Sequence, residues 1–179
     1  MAIRRINLLG GPGAGKSTLS AWLFAEMKIK GFDVEHISEY AKAWVFIGTS
    51  PTSFDQIYIT SKQLHREDIV LRHEQSIIIT ESPLFLGACY AAKNHVPGAN
   101  YLVAIAMEFE RAFPSLNVFV ERGKKPYKPF GRFQTHEQAL EMDLLIKRMM
   151  DEQGLKYQTI SFEDRDGLMG YVLSNINQS

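Results

Sequence analysis

Gly10-Gly11-Pro12-Gly13-Ala14-Gly15-Lys16-Ser17 is the stretch on which the fold turns. It fits G-x-x-x-x-G-K-[S/T] in full, follows an apolar run and opens a helical pattern, which is the context that gives the motif its meaning. Glycines let the backbone turn tightly and bring N–H groups close to phosphates. The start of the following helix adds a favourable dipole for an anion. Lys16 has the reach for β- and γ-phosphates, and the Ser17 hydroxyl suits Mg²⁺. The expected cradle is Gly11, Pro12, Gly13, Ala14, Gly15, Lys16, Ser17 and Thr18. No N-K-x-D guanine motif follows, so ATP is expected rather than GTP.

Working outward, short apolar runs alternate with helical patterns, which predicts α/β layers. Strands are expected at 3–9, 34–37, 77–80, 117–121 and 157–162. Helices are expected at 16–30, 41–47, 54–74, 84–93, 99–113, 135–152 and 164–176. In the long helix Ile57, Leu64 and Leu71 fall on one apolar stripe. Strands joined by helical crossovers predict a doubly wound, mostly parallel sheet in one domain spanning 1–179. No internal repeat or low-complexity tract interrupts it.

The chain has 179 residues, with 45% apolar and 22% charged, an ordinary globular balance. Lys plus Arg and Asp plus Glu are 20 each, which argues against wholesale coating of nucleic acid or membrane but not against a local basic patch. The single cysteine, Cys89, excludes an internal disulfide and a cysteine-based zinc site. With no signal peptide and no membrane-length apolar run, a reducing cytoplasmic location is expected. His36, His73, His95 and His136 show no metal-ligand spacing, and Cys89, Met142, Met149 and Met150 are expected in the core.

In open α/β sheets ligands sit at the C-terminal ends of strands. Glu81 follows the third strand, where an acid can hold Mg²⁺ directly or through water; a capping role on the next helix is the alternative. Glu39 follows the second strand and suits a general base for an attacking hydroxyl, or else a surface charge at a strand–helix junction. The segment 122–132 concentrates five cations, bracketed by glycines and prolines. A lid placing Arg122 or Arg132 on a transferring phosphoryl group fits, as does a solvated loop. Its aromatics Tyr127 and Phe130, with Phe133 just beyond, equally fit a nucleic-acid contact. On the long helix Gln56 and Gln63 suit a base edge and Arg66 a phosphate, while Tyr40 suits stacking on a planar substrate; solvent or core is the ordinary place for each.

Taken together, Gly10 to Thr18, Ser38-Glu39-Tyr40-Ala41-Lys42, Asp55-Gln56, Gln63 with His65-Arg66, Glu81-Ser82-Pro83, and Lys125-Pro126-Tyr127 with Gly131-Arg132 resemble small phage and bacterial P-loop kinases. That group is often labelled "AAA family ATPase". It is similar in layout to deoxynucleoside, thymidylate and ribosylnicotinamide kinases, and some phage members phosphorylate 5-hydroxymethyluracil in DNA. The resemblance covers nearly the whole chain. It implies a nucleoside-kinase-type sheet of order 2-3-1-4-5, Glu39 as acid/base near the acceptor, Glu81 near Mg²⁺, and 122–132 as lid. Many relatives carry Asp where Glu81 stands, which bears on direct ligation. The chain is too short for the helical lid subdomain and arginine finger of an AAA+ motor.

The expected activity is therefore ATP- and Mg²⁺-dependent phosphoryl transfer to a nucleoside-like acceptor, with Lys16, Glu39, Arg122 and Arg132 as catalytic residues. The preferred acceptor is the hydroxymethyl group of 5-hydroxymethyluracil in DNA, with a free nucleoside or nucleotide as the rival. A regulatory ATPase, or a module that binds ATP without consuming it, is the alternative from another class.

Overall fold

The computed structural model describes residues 3–176 apart from 50, 52, 53, 74, 75, 125 and 129–133. Along them run β1 (Arg5–Leu9), α1 (Lys16–Ile29), β2 (Val34–Ile37), α2 (Lys42–Phe46), α3 (Asp55–Leu71) and β3 (Ile77–Thr80). Then follow α4 (Leu84–Lys93), α5 (Ala99–Ala112), β4 (Ser115–Glu121), α6 (His136–Glu152), β5 (Gln158–Ser161) and α7 (Arg165–Ile176). The sheet has five strands in the order β2-β3-β1-β4-β5. Every pairing is parallel. Parallel neighbours need long crossovers, and the helices supply them.

β1 lies mid-sheet and is buried on both faces. Ile6 and Leu8 join Val118 and Val120 of β4 against α1 and α7, through Leu19, Leu23, Leu168 and Val172. On the opposite face Leu9, Ile78 and Phe119 meet α4, α5 and α6 through Phe85, Phe109 and Met142. Cys89, Met142, Met149 and Met150 are core residues. Burial pushes the Cys89 thiol up to about 12, leaving it inert as a nucleophile.

Local chemistry fixes several boundaries. α1 ends where Gly31 takes φ +86 and donates to the Lys28 carbonyl at 3.0 Å. α6 starts from a capping box: the Thr135 hydroxyl accepts from the Gln138 N–H at 3.3 Å, and the Thr135 N–H donates to Gln138 Oε1 at 2.9 Å.

α3 departs from the expected apolar stripe. It turns Gln56, Ile59, Thr60, Gln63, Glu67 and Leu71 inward, leaving Ile57 and Leu64 only partly buried. The reason lies in β1. Arg5 is buried there, and its guanidinium donates to Glu67 at 3.3 Å, Glu110 at 3.0 Å and the Phe113 carbonyl at 2.8 Å. A buried cation requires paired acceptors, so the helix presents its acid rather than its leucine. Among the described residues no helix is long and apolar enough to cross a membrane.

Candidate active site

The segments that follow β1, β2 and β3 enclose a cavity of about 480 Å³. This is the crevice beyond the C-terminal strand ends that parallel sheets use for ligands. One wall is the phosphate loop, contributing Pro12, Gly13, Gly15, Lys16, Ser17 and Thr18. Gly15 precedes α1 with φ +101, and a β-carbon there would stand 2.2 Å from the Phe162 ring, so the position takes only glycine. The Lys16 ammonium folds back over the loop, donating to the carbonyls of Gly10 at 2.7 Å and Gly11 at 3.0 Å. It thereby spans the loop at the place a phosphate would enter. Burial lowers the Lys16 pKa, and the Glu39, Glu81 and Asp143 carboxylates oppose that shift.

Glu39, just beyond β2, lines the same cavity. Burial raises its pKa, with the Lys16 ammonium pulling the other way and Glu81 adding to the rise. A carboxylate held this way is a stronger base than an exposed one. Glu81 is buried to 4% exposure and makes no hydrogen bond or salt bridge among the described residues. Ser17, at the first turn of α1, is exposed to the cavity. Glu81 itself does not line the cavity, but its charge acts on Lys16 and Glu39, which do. A hydroxyl, a carboxylate and phosphate oxygens are the hard donors that Mg²⁺ takes. Among the described residues no group of three or more His, Cys, Asp or Glu could hold a metal by itself.

The acceptor-side residues separate into two sets. Gln56 faces the cavity, and its side-chain amide makes no hydrogen bond among the described residues. Gln63 also reaches the cavity, but its amide is committed: it accepts from the Tyr40 N–H at 3.2 Å and donates to Glu67 at 3.3 Å and Thr80 at 3.4 Å. Tyr40 and Arg66 do not line the cavity. The Arg66 guanidinium lies 4.9 Å from the Tyr40 ring centre, and the Tyr40 hydroxyl donates to Tyr58 at 3.0 Å. They pack the β2–α2 turn onto α3, where stacking on substrate had been expected of Tyr40 and phosphate contact of Arg66.

Arg122 also sits away from the expected place. Its three nitrogens donate to Asp143 at 2.5 Å, the Pro12 carbonyl at 2.7 Å and the Ala139 carbonyl at 3.1 Å, so it is held behind the phosphate loop rather than free over the cavity. Arg132 lies outside the described residues, with 125, 129–131 and 133 of the basic segment.

Sequence patterns missed Thr60, Tyr90 and Asn94 on the acceptor wall, and Gln134. Burial raises the Tyr90 hydroxyl well above its ordinary range, and the nearby Glu39 and Asp143 add to it. The one available signal was Gly87 inside a helix: a β-carbon there would stand 2.8 Å from Thr60 Oγ1. That close approach of α4 to α3 is what forms the wall.

Comparison with known proteins agrees with this layout. Two solved structures of NadR protein superpose on the chain. One is in complex with NR, with TM-score 0.76 and 13% identity over 99% of this chain and 52% of that one. The other is in complex with NAD and AMP-PNP, with TM-score 0.75 and 13% identity over 99% and 50%. The chain thus spans about half the length of these neighbours, and the likeness is one of fold. No curated protein matches the sequence. A strand running into a glycine loop that closes on Lys16 and opens a helix is the P-loop arrangement, and residues 5–165 match the family described as "AAA domain", to which the chain belongs.

Proposed function

We propose that this chain is a kinase that moves the γ-phosphate of ATP, with Mg²⁺, to a hydroxyl of a nucleoside-like acceptor. The observation that carries the reading is the shared cavity: Lys16 and Ser17 line it together with Glu39 and with the neutral polar and apolar groups Gln56, Thr60, Tyr90, Asn94 and Leu86. Lys16 and Lys42 are the only cations among the described lining residues. The acceptor end therefore suits an uncharged, hydrogen-bonding molecule better than a second phosphate. AMP-PNP in a neighbour of the same fold supports ATP as the donor.

Each step follows from a placed group. The phosphate loop and Lys16 bind and orient the triphosphate and balance charge on the transferring group. Glu39 accepts the proton of the acceptor hydroxyl as its oxygen bonds to the γ-phosphorus and the bond to the ADP oxygen breaks. Ser17 and Glu81 would hold Mg²⁺, which supplies charge neutralisation along the phosphates. The finer reading is a free nucleoside. Hydroxymethyluracil within DNA drew on the family resemblance and on the basic, aromatic segment, and Arg122 of that segment is already engaged by Asp143 and the loop.

The test is transfer of label from γ-labelled ATP, offered free nucleosides, nucleoside monophosphates, plain duplex DNA and DNA carrying hydroxymethyluracil. Label on a free nucleoside is expected. Label on the modified DNA alone would move the acceptor into DNA. Release of labelled phosphate that no acceptor accelerates would make the chain an ATPase and overturn the kinase reading.

A further inference from the structure

The most tightly bound part of the site lies behind the phosphate loop. Asp143, on α6, uses both carboxylate oxygens: Oδ1 accepts from the Gly11 N–H at 2.5 Å, and Oδ2 accepts from Arg122 Nε at 2.5 Å. Arg122 closes the ring by donating to the carbonyl of Pro12, the next residue of the loop, at 2.7 Å. Its remaining nitrogen ties to the Ala139 carbonyl one turn earlier on α6, at 3.1 Å. Both side chains are 15% exposed. Neither they nor Gly11 line the cavity, whereas Pro12, Gly13 and Gly15 to Thr18 do.

The packing leaves no slack. A β-carbon on Gly11 would stand 2.5 Å from the Ala139 carbonyl, 2.8 Å from the Arg122 guanidinium and 2.9 Å from Asp143. Gly11 is therefore fixed by this contact rather than by a positive φ. A donor and an acceptor on successive loop residues, Gly11 N–H and Pro12 C=O, are both held from one side. That sets the orientation of the peptide groups from which the phosphate-binding half of the loop continues. Preorganised donors bind a polyanion without the cost of ordering the loop at the moment of binding.

We propose that Asp143 and Arg122 are a positioning pair that holds the phosphate loop from behind in its nucleotide-ready shape, so that Arg122 serves ATP binding through Gly11 and Pro12 rather than by touching the γ-phosphate. The inference rests on the reading of the loop as an ATP site. It assigns Asp143, which no sequence motif marks, and gives Arg122 a role distinct from a transition-state arginine. The charges of the two cancel locally, leaving Lys16 as the cation that meets the triphosphate.

The experiment is calorimetric titration of the full chain with Mg²⁺ and AMP-PNP, alongside kcat at saturating ATP, for the wild type, Arg122→Ala, Asp143→Ala, the double variant, Arg122→Lys and Asp143→Asn. Both alanine variants are expected to weaken AMP-PNP by about tenfold or more, with kcat at saturation within about threefold of wild type. The double variant is expected to bind no worse than either single one, because the pair acts as a unit. Asp143→Asn, which keeps an acceptor for Gly11, is expected to recover part of the loss. Wild-type AMP-PNP affinity in Arg122→Ala with kcat down by about a thousandfold would place Arg122 on the γ-phosphate and overturn the proposal. Equal affinity in Asp143→Ala and wild type would overturn it too. Where an alanine variant fails to fold, Arg122→Lys and Asp143→Asn decide, and unaltered affinity in both defeats the pair. A wild type that does not bind AMP-PNP removes the ATP-site reading itself, and this inference with it.

Discussion

The Gln63 side-chain carbonyl accepts from the backbone N–H of Tyr40 at 3.2 Å, so a buried residue of α3 holds the residue next to Glu39. The other end of the same amide is spent on Glu67 and Thr80. Gln63→Leu should therefore loosen the β2–α2 turn and displace the base. Misplacement on the ångström scale costs about 10- to 100-fold in kcat/KM for the acceptor. AMP-PNP affinity should stay within about twofold, since the phosphate loop is untouched. Steady-state kinetics with titration of the analogue checks both, and an unchanged kcat/KM would remove the anchoring role.

Glu39→Gln keeps the shape of the side chain and removes its basicity. Loss of a general base costs about 10²- to 10⁴-fold in kcat. Retention of most of the wild-type rate would mean that no hydroxyl proton needs a base, as when the acceptor is itself a phosphate.

The pH dependence carries a sign. Burial raises the Glu39 pKa above the ordinary carboxylate range. The active form is the ionised one, so the rate should fall as pH drops through that raised value. The acid limb of kcat/KM against pH should thus lie above the usual glutamate range and vanish in Glu39→Gln. A limb at an ordinary carboxylate value that persists in the variant would assign it to another group.

Arg5 and Glu67 form a buried pair, 2% and 0% exposed at their side chains, with Glu110 as the second acid. Arg5→Ala should destabilise the fold by about 3–5 kcal/mol, because it strands a buried carboxylate. Burial already raises the Glu67 pKa, with Arg5 opposing the shift, so removing Arg5 raises it further. A carboxyl whose folded pKa is raised favours the native state below its unfolded pKa and loses that advantage as pH rises through the folded value. The Arg5→Ala penalty should accordingly shrink in mild acid, where Glu67 protonates. Replacing both by Leu should cost less than the two single changes summed. Urea unfolding at neutral and mildly acidic pH measures both effects, and a pH-independent penalty would speak against a stranded Glu67.

Gly15→Ala meets both a backbone and a packing obstacle, φ +101 and a Phe162 contact of 2.2 Å. The left-handed conformation alone costs about 1–3 kcal/mol for a residue with a β-carbon. Phe162→Ala in the same chain should relieve the overlap but not the dihedral cost, recovering only part of the thermal stability. Full recovery would show that the ring contact was the whole obstacle.

The sequence by itself determined the loop from Gly10 to Ser17, the alternation of strands and helices, and the places of Glu39 and Glu81 at strand ends. These are local signals: a glycine spacing, apolar runs of strand length, and helical periodicity with a cap at Thr135. The observed strands β2 and β3 and helix α4 have the expected bounds, and the other elements differ by a few residues at their ends. Tertiary structure decided which polar side chains meet. Arg5 opens β1 beside a second arginine, and only the covering of β1 on both faces makes it a buried cation that draws Glu67 inward and rotates α3. Arg122 was expected in a lid because its sequence neighbours are basic and bracketed by glycines and prolines. Its partners Asp143 and Pro12 lie on other segments, and only the packing of α6 behind the phosphate loop brings them within hydrogen-bond reach. Periodicity reports how a segment divides between core and solvent, but the partner that satisfies a buried charge is chosen by what the fold packs against it.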